Sequence, residues 1–208
     1  MEVEFFFGPG SRYSYLAATQ IDRVAAETGA RFRWRPVLSM DLTERTGGVP
    51  RSPQDPAWRT ADIERWARHY GVPFKDVSGD VDWRGLALAC AAAQAQGAAE
   101  RFARALYKHT YAEGDPPRDG GAVLDLAVEA GLDGPHMVRA LSGPAQAVYA
   151  TNLEAALAAG AFGVPTFVTP DGATFWGQDR LPLLVDHLKG LGQPASPSPS
   201  ISAISSAL

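Results

Sequence analysis

Ser11 occupies the position in this chain that is best suited to chemistry. It follows the turn Gly8-Pro9-Gly10 and begins a segment whose apolar residues have helical spacing. Its hydroxyl and the first free backbone N–H groups of that helix therefore face the same small volume, which favours an anion or a thiolate. Local sequence also supports a plain helix-capping role for Ser11, and the two roles are compatible.

Two segments near the end of the chain carry comparable signals. Pro165 follows Val164 at the start of a predicted strand, where proline cannot donate to a sheet. We therefore expect an edge strand there and leave the preceding peptide open between trans and cis. Gln178 and Asp179 precede the last helical segment, and either residue is a suitable cap for it. Arg180 follows them and is expected to be solvated.

The composition excludes several other kinds of site. The 208 residues carry a net charge of −4 and are 46% hydrophobic, which is typical of a globular protein. The 19 basic residues form no stripe, so nucleic acid is not an expected partner. The start of the chain lacks the features of a signal peptide, and no stretch approaches the roughly 20 apolar residues of a membrane span, so we expect a cytoplasmic protein. One cysteine and four scattered histidines predict no disulfide, dithiol or metal site.

The elements that must position these residues are predicted from hydrophobic periodicity. Strand, helix and strand are predicted over residues 3–7, 11–28 and 31–37. Two short strands at 163–169 and 173–176 form a hairpin, which a final helix follows. These two groups are the halves of a thioredoxin-like, four-stranded mixed sheet, which makes the fold class α/β.

An all-helical domain interrupts this sheet. Alanine-rich segments fill residues 38–151, and the turn residues between them indicate three to six helices. We therefore assign residues 1–37 and 152–192 to one discontinuous thioredoxin-like domain, and residues 38–151 to an inserted helical domain. Residues 193–208 are rich in Ser, Pro and Ala and are predicted to be a flexible tail.

The helical block contains side chains for which packing is the simplest role. Cys90 lies among small apolar residues and is expected to behave as a small hydrophobic side chain. Five aromatic residues are expected in the core, with stacking on a ligand as the alternative; they are Trp58, Trp66, Trp83, Tyr107 and Tyr111.

Three segments together resemble the 2-hydroxychromene-2-carboxylate isomerases and the kappa-class glutathione transferases, which have a DsbA-like thioredoxin fold. FFFGPGSRYSYLAA resembles the family's first strand and its Ser-Pro-Tyr-Ser-Tyr-Leu helix start. GAFGVPTFV resembles its cis-proline strand, and FWGQDRLPLLVDHL resembles its closing segment. Weaker similarity extends over nearly all of the chain except the tail. The resemblance implies that glutathione, or another small thiol, binds between the two domains.

By position, the resemblance makes Ser11 the catalytic residue that hydrogen-bonds the thiol sulfur. A charge-assisted hydrogen bond of about 1.5 to 3 kcal/mol lowers a thiol pKa by about one or two units. A larger fraction of the thiol is then nucleophilic thiolate at neutral pH.

The resemblance also implies the residues that hold the rest of glutathione. Val164, next to a cis Pro165, would pair its backbone with the cysteinyl part of the tripeptide as an added strand. Gln178 and Asp179 would hold the γ-glutamyl end. Arg180 would contribute to the same end or pack against it.

The substrate side of the site departs from the family pattern. The proline that follows the family's serine is Arg12 here, and the asparagine before its Leu-Ala-Leu helix is Arg84. The lysine and asparagine in the first loop of the helical domain are Glu44 and Gly48. Arg12, Arg45 and Arg84 are therefore candidates to bind an anionic substrate, with solvated surface arginines as the alternative. The chromene substrate itself stays open.

The resemblance thus implies a glutathione-dependent cis-trans isomerase that acts on a conjugated aromatic or polyene small molecule by reversible thiol addition. A kappa-like glutathione transferase is the nearest enzymatic alternative. A non-catalytic small-ligand binding protein on the same fold is the alternative of a different class. Family members are commonly dimers, so a homodimer is expected, although no sequence pattern specifies its interface.

Overall fold

Four strands form a single sheet in the computed structural model, which describes residues 1–47, 56–77, 79–141 and 143–192. The strands are β1 (Glu2–Phe7), β2 (Arg31–Pro36), β3 (Thr166–Val168) and β4 (Thr174–Trp176). Their order is β2-β1-β3-β4. β1 is parallel to β2 and antiparallel to β3, and β3 is antiparallel to β4. This mixed sheet confirms the predicted fold class.

Ten α-helices surround the sheet in the described residues. Three accompany the strands: α1 (Arg12–Ala18), α2 (Ile21–Thr28) and α10 (Leu181–Leu191). The other seven lie between β2 and β3, and they are α3 (Ser39–Thr46), α4 (Pro56–Tyr70), α5 (Trp83–Ala95), α6 (Ala99–Tyr107), α7 (Gly120–Glu129), α8 (Gly134–Leu141) and α9 (Pro144–Ala158). Seven exceeds the predicted three to six, because α3 and α8 are helices of only 8 residues. A π-helical turn (Lys108–Glu113) continues α6, and a 3₁₀ turn (Gln178–Arg180) precedes α10.

β1 places its side chains alternately on the two faces of the sheet. Phe5 and Phe7 belong to the main core, where Phe5 stacks on Phe167 of β3 and meets Trp34 of β2 edge-on. Phe6 lies in a second buried cluster with apolar residues of α3 and α9. The sheet is therefore covered on both faces, and its buried position fixes the strand ends that carry the candidate site.

The helix predicted over residues 11–28 is two helices in the structure, separated at Thr19 and Gln20. The Thr19 hydroxyl donates to the Leu16 carbonyl at 2.7 Å. The Gln20 N–H bonds to the Ala17 carbonyl, only three residues back. The prediction of one continuous helix is wrong because these local bonds end α1 after two turns.

The hairpin near the end of the chain is confirmed, but its first strand is not an edge. β3 lies inside the sheet, between β1 and β4. Pro165 precedes the first paired residue, Thr166, so its missing N–H removes no bond from the sheet. The Val164–Pro165 peptide is cis.

The sequence suggested that Gln178 or Asp179 caps the last helix, but neither residue does so. Both lie in the 3₁₀ turn, and Arg180 occupies the N-cap position of α10 without a side-chain capping bond. The Gln178 side chain bonds instead to Tyr70 at the end of α4.

The inserted helices share a core with the sheet. α5 contacts β2 as well as α6, α8 and α9, and its small buried residues belong to the same cluster as Phe5 and Phe7. The domain boundaries stay a prediction, and α9 runs unbroken through the one proposed between residues 151 and 152. The tail predicted at 193–208 lies outside the described residues. None of the helices in the described ranges is both long enough and apolar enough to cross a membrane.

Candidate active site

Ser11 caps α1 just after the carboxyl end of β1. Its Oγ accepts a hydrogen bond from the Ser14 N–H at 3.1 Å, which confirms the capping role. The side chain is partly buried, and its hydroxyl proton has no acceptor among the described residues. Capping therefore uses the oxygen of Ser11 and leaves the proton for a ligand.

The turn before Ser11 is held by contacts from the inserted helices. The Gly8 carbonyl accepts hydrogen bonds from the Ser11 N–H at 3.0 Å and from the Tyr107 hydroxyl at 2.9 Å. The Trp83 ring covers Gly10 so closely that a Cβ there would lie 2.7 Å from a ring atom. The turn is thus fixed before any ligand binds, which reduces the entropy lost on binding.

The side chains of Val164 and Ser11 lie on either side of Gly8. A Cβ on Gly8 would lie 3.0 Å from Cγ2 of Val164 and 3.5 Å from Cβ of Ser11, so a larger residue there would have to displace the Val164 side chain. The Val164 side chain is buried. Its backbone N–H and C=O have no hydrogen-bond partner in the described ranges, whereas the next carbonyl, of Pro165, accepts from the Gly177 N–H at 2.9 Å. Val164 therefore has both backbone groups available for an extended ligand.

Gln178 and Asp179 differ in their surroundings although they are adjacent. Gln178 is buried, and the Tyr70 hydroxyl donates to its side-chain oxygen at 2.5 Å. Its NH₂ group is then the part left for a ligand. The Asp179 side chain is 43% exposed, with the Arg180 guanidinium 3.8 Å away. Asp179 thus offers a solvated carboxylate to a cationic group.

Two tyrosines connect Asp179 electrostatically with the start of α1. Burial raises the pKa of Tyr13 to about 12, its hydrogen bond to Asp62 acts in the same direction, and the Asp179 charge contributes. Burial also raises the pKa of Tyr70 to about 12, with a further contribution from Asp179. Both hydroxyls are therefore protonated at neutral pH. Tyr13 is two residues after Ser11, and α1 contacts the 3₁₀ turn that contains Asp179, so Asp179 lies on the same side of the molecule as the Ser11 turn.

Arg12 and Arg84 each pair with a carboxylate. Arg12 follows Ser11 directly, and its Nη2 lies 2.7 Å from Asp76. Arg84 follows the tryptophan that covers the turn, and its Nη2 lies 2.6 Å from the buried Asp41. A guanidinium has five N–H donors, so each arginine keeps capacity to bind an anion.

Arg45 lies elsewhere. It pairs with Glu154 of α9 at 3.1 Å, and both side chains are more than half exposed, so that solvent screens the pair. No contact within the described part of the chain joins Arg45 to the Ser11 turn. Glu44 is exposed, and Gly48 lies outside the described residues.

The sequence predicts no site role for Tyr70, and it gives Trp83 and Tyr107 a ligand-stacking role only as the alternative to core packing. Trp83 and Tyr107 are recognisable only as aromatic residues of the helical block, and the structure adds that both touch the turn before Ser11. Tyr70 lies 108 positions from Gln178, a separation that no local spacing rule covers. Trp58 is about half exposed, so the expectation that it lies in the core is wrong.

The sheet order, the cis proline and the serine at the start of α1 define a thioredoxin-fold protein whose site has no cysteine of its own. The DSBA-like thioredoxin domain family matches residues 2–189, and the chain belongs to this family. The 2-hydroxychromene-2-carboxylate isomerase of Sphingobium xenophagum is 32% identical, over 89% of this chain and 97% of that protein. This likeness confirms the predicted family and the predicted enzyme class.

Two solved structures show the same fold. A 2-hydroxychromene-2-carboxylate isomerase superposes with a TM-score of 0.81 at 25% identity, covering 92% of this chain and 96% of that one. The cytosolic disulfide reductase DsbM of Pseudomonas aeruginosa, solved with GSH, has a TM-score of 0.64 at 20% identity and the same coverage, 92% and 96%.

Proposed function

We propose that this chain is a glutathione-dependent cis-trans isomerase that acts on a conjugated aromatic or polyene acid. One observation carries the proposal: the side chains of Ser11 and Val164 lie on either side of Gly8, and among the described residues neither the Ser11 hydroxyl proton nor the Val164 backbone groups have a partner. A thiol ligand paired with Val164 would present its sulfur to a hydrogen-bond donor and not to a second thiol.

The nucleophile must come from the ligand, because the chain has no reactive thiol. Cys90 is its single cysteine, and it is fully buried in α5. Burial raises the pKa of the Cys90 thiol far above its usual range, so it does not form a thiolate near neutral pH. Glutathione, when bound, would supply a thiolate that adds reversibly to a conjugated double bond and so allows rotation about it.

The residues present fit a thiol tripeptide. Ser11 would donate its proton to the sulfur and stabilise the thiolate. The Val164 N–H and C=O would pair with the cysteinyl backbone. The exposed Asp179 carboxylate would bind the ammonium group of the γ-glutamyl end, and the Gln178 NH₂ group would bind its carboxylate. Among the residues that the structure describes, each of these groups has no partner or only one that leaves part of it free.

The similarity to a 2-hydroxychromene-2-carboxylate isomerase supports isomerisation as the reaction. The GSH in the DsbM structure supports glutathione as the thiol for this fold. Arg12, which is next to Ser11 in sequence, and Arg84, which is next to the Trp83 that covers the turn, support an anionic substrate. A cytoplasmic location and a homodimer are part of the proposal and rest on the sequence alone.

The test is turnover of 2-hydroxychromene-2-carboxylate, and of other conjugated aromatic acids, with and without glutathione. An isomerase requires glutathione and leaves it unchanged, so we expect the rate to rise with glutathione and mass spectrometry to find no sulfur in the product. A product that contains glutathione would identify a transferase. A protein that neither binds glutathione nor converts any of these acids would refute the proposal and favour non-catalytic ligand binding.

A further inference from the structure

An aromatic stack behind the Ser11 turn contains one hydroxyl without a structural partner. Tyr15, Tyr107 and Tyr111 pack together, and Phe74 stacks on Tyr111 with 6.2 Å between ring centroids. The Tyr107 hydroxyl donates to the Gly8 carbonyl, and the Tyr15 hydroxyl donates to a carbonyl of the segment that follows α4. The Tyr111 hydroxyl has no hydrogen bond to any residue that the structure describes.

The Tyr111 hydroxyl lies at the edge of the buried stack. Only 1% of this residue's surface is exposed. Its oxygen is nevertheless absent from the buried, unpaired side-chain atoms of the described residues. The small exposed fraction of Tyr111 therefore includes this oxygen, while the ring is buried in the stack. A tyrosine hydroxyl in such a place normally has a partner, so an accessible, unpaired one is a candidate ligand contact.

This hydroxyl lies on the same side of the turn as Arg12. The charges of Arg12 and Asp76, which pair with each other at 2.7 Å, both act on Tyr111. Asp76 belongs to a segment that is bonded to the π-helical turn through the Lys75 N–H and the Tyr111 carbonyl, at 2.7 Å. Since Arg12 follows Ser11 directly, these contacts connect the Tyr111 segment with the Ser11 turn.

We propose that Tyr111 binds the substrate: its hydroxyl donates a hydrogen bond to a carboxylate or carbonyl oxygen of the conjugated acid, alongside Arg12. The inference rests on the proposed function, because it takes the thiol to be held between Ser11 and Val164. It adds a neutral donor to the arginines considered from the sequence, and it specifies an aromatic or polyene acid whose oxygen lies next to the conjugated bond.

The chemistry suits a tyrosine in this environment. Burial raises the pKa of Tyr111 far above its usual range, and although the nearby Arg12 opposes this shift, the hydroxyl stays protonated as a donor. As the carbon–sulfur bond forms, the π electrons of the double bond shift toward the substrate oxygen, and hydrogen bonds from Tyr111 and Arg12 stabilise that charge. When the carbon–sulfur bond breaks after rotation, the electrons return and no proton has been transferred.

The test compares Tyr111→Phe with Tyr15→Phe, since each removes one hydroxyl from the same stack and keeps the ring. Cinnamate serves as a conjugated aromatic acid and glutathione as the thiol, each titrated calorimetrically. We expect Tyr111→Phe to weaken cinnamate binding about 10-fold, as for the loss of one hydrogen bond to a charged group, and to leave glutathione affinity within about twofold. Tyr15→Phe should leave cinnamate affinity within about twofold.

Three outcomes would overturn this inference: no cinnamate binding by the wild type, an unchanged cinnamate affinity in Tyr111→Phe, or equal losses in the two variants, which would indicate a general effect of the stack. Failure of the wild type to bind glutathione is a separate result. It would reject the proposed function, whereas a selective loss of cinnamate binding in Tyr111→Phe would still establish the acid-binding role.

Discussion

The Ser11 hydroxyl has two roles, one for its oxygen and one for its proton. The oxygen accepts the Ser14 N–H and stabilises the start of α1, a contribution of about 1 kcal/mol for such a cap. The proton is left for a ligand. Alanine and glycine at this position both remove the hydroxyl, but glycine is a tolerated N-cap and costs the helix only a few tenths of a kcal/mol, about 1 kcal/mol less than alanine. The two substitutions therefore separate the structural role of Ser11 from its proposed chemical role.

Asp179 is predicted to recognise the γ-glutamyl end of glutathione. Asp179→Asn removes the charge that would pair with the ammonium group, and we expect glutathione to bind about 5- to 10-fold more weakly, as for a partly solvated ion pair. Cysteinylglycine lacks the γ-glutamyl group and should bind the variant and the wild type equally. Calorimetric titration with both ligands is the measurement, and Asp186→Asn, which removes an exposed carboxylate of α10, is the matched control. If Asp179→Asn weakens both ligands by the same factor, Asp179 does not recognise that end.

At the scale of elements, the β3–β4 hairpin is tied to α10 through Asp171. The Asp171 carboxylate accepts a hydrogen bond from the Thr169 hydroxyl at 2.5 Å, and His187 of α10 lies 3.1 Å from it. The pKa of Asp171 is lowered from 3.8 to about 2, chiefly by the hydrogen bond from the Thr169 hydroxyl and next by the one to His187. The hairpin carries Val164 at its start and is followed by Asp179, so this tie also fixes the thiol side of the site.

The lowered pKa predicts an acid-sensitive contribution to stability. Since the folded state favours the ionised carboxylate, the contribution of Asp171 is fully present above about pH 4 and is lost as the pH falls toward about 2. Urea unfolding of the wild type and Asp171→Asn should show the largest stability difference above about pH 4. The difference should shrink as the pH approaches about 2. A difference that does not vary with pH would contradict this assignment.

The sequence predicts elements where the signal is local. A glycine-proline-glycine turn precedes Ser11, and a proline begins the strand after Val164, so both positions could be found from spacing alone. The break between α1 and α2 depends on the Thr19 side chain, which also favours positions inside helices. The 3₁₀ turn at Gln178 depends on Tyr70, far away in the chain. Local periodicity therefore predicts neither the break between α1 and α2 nor the 3₁₀ turn.

At the scale of the whole molecule, a buried network links the inserted helices to the end of β2. Asp41 of α3 accepts hydrogen bonds from Arg84 of α5 and from the Tyr149 hydroxyl of α9, each at 2.6 Å. The Tyr149 oxygen in turn accepts the Leu38 N–H at 2.9 Å. Asp41 is separated in sequence from Arg84 by 43 positions and from Tyr149 by 108. The sequence presents Arg84 only as a candidate for substrate binding, and its partner becomes visible only in the folded chain.

This network predicts a stability loss that a matched variant does not share. Tyr149→Phe leaves the Leu38 N–H and one oxygen of Asp41 without a partner, so the free energy of unfolding should fall by about 1 to 3 kcal/mol. Tyr111→Phe removes a hydroxyl that has no partner among the described residues and should change it by less than about 0.5 kcal/mol. Urea unfolding of the two variants checks this, and equal losses would contradict the network's role.

The central claim is that Ser11 activates a bound thiol. The most direct test is the pKa of the glutathione thiol when bound, measured from thiolate absorbance and calorimetric affinity over a pH series. The proteins are the wild type, Ser11→Ala and Ser11→Gly. We predict that the wild type lowers this pKa by about one to two units from its free value near 8.5. Both variants should restore the thiol pKa to its free value, although Ser11→Gly keeps most of the helix stability that the cap provides. The same thiol pKa in all three proteins, or no glutathione binding at any pH, would contradict the account.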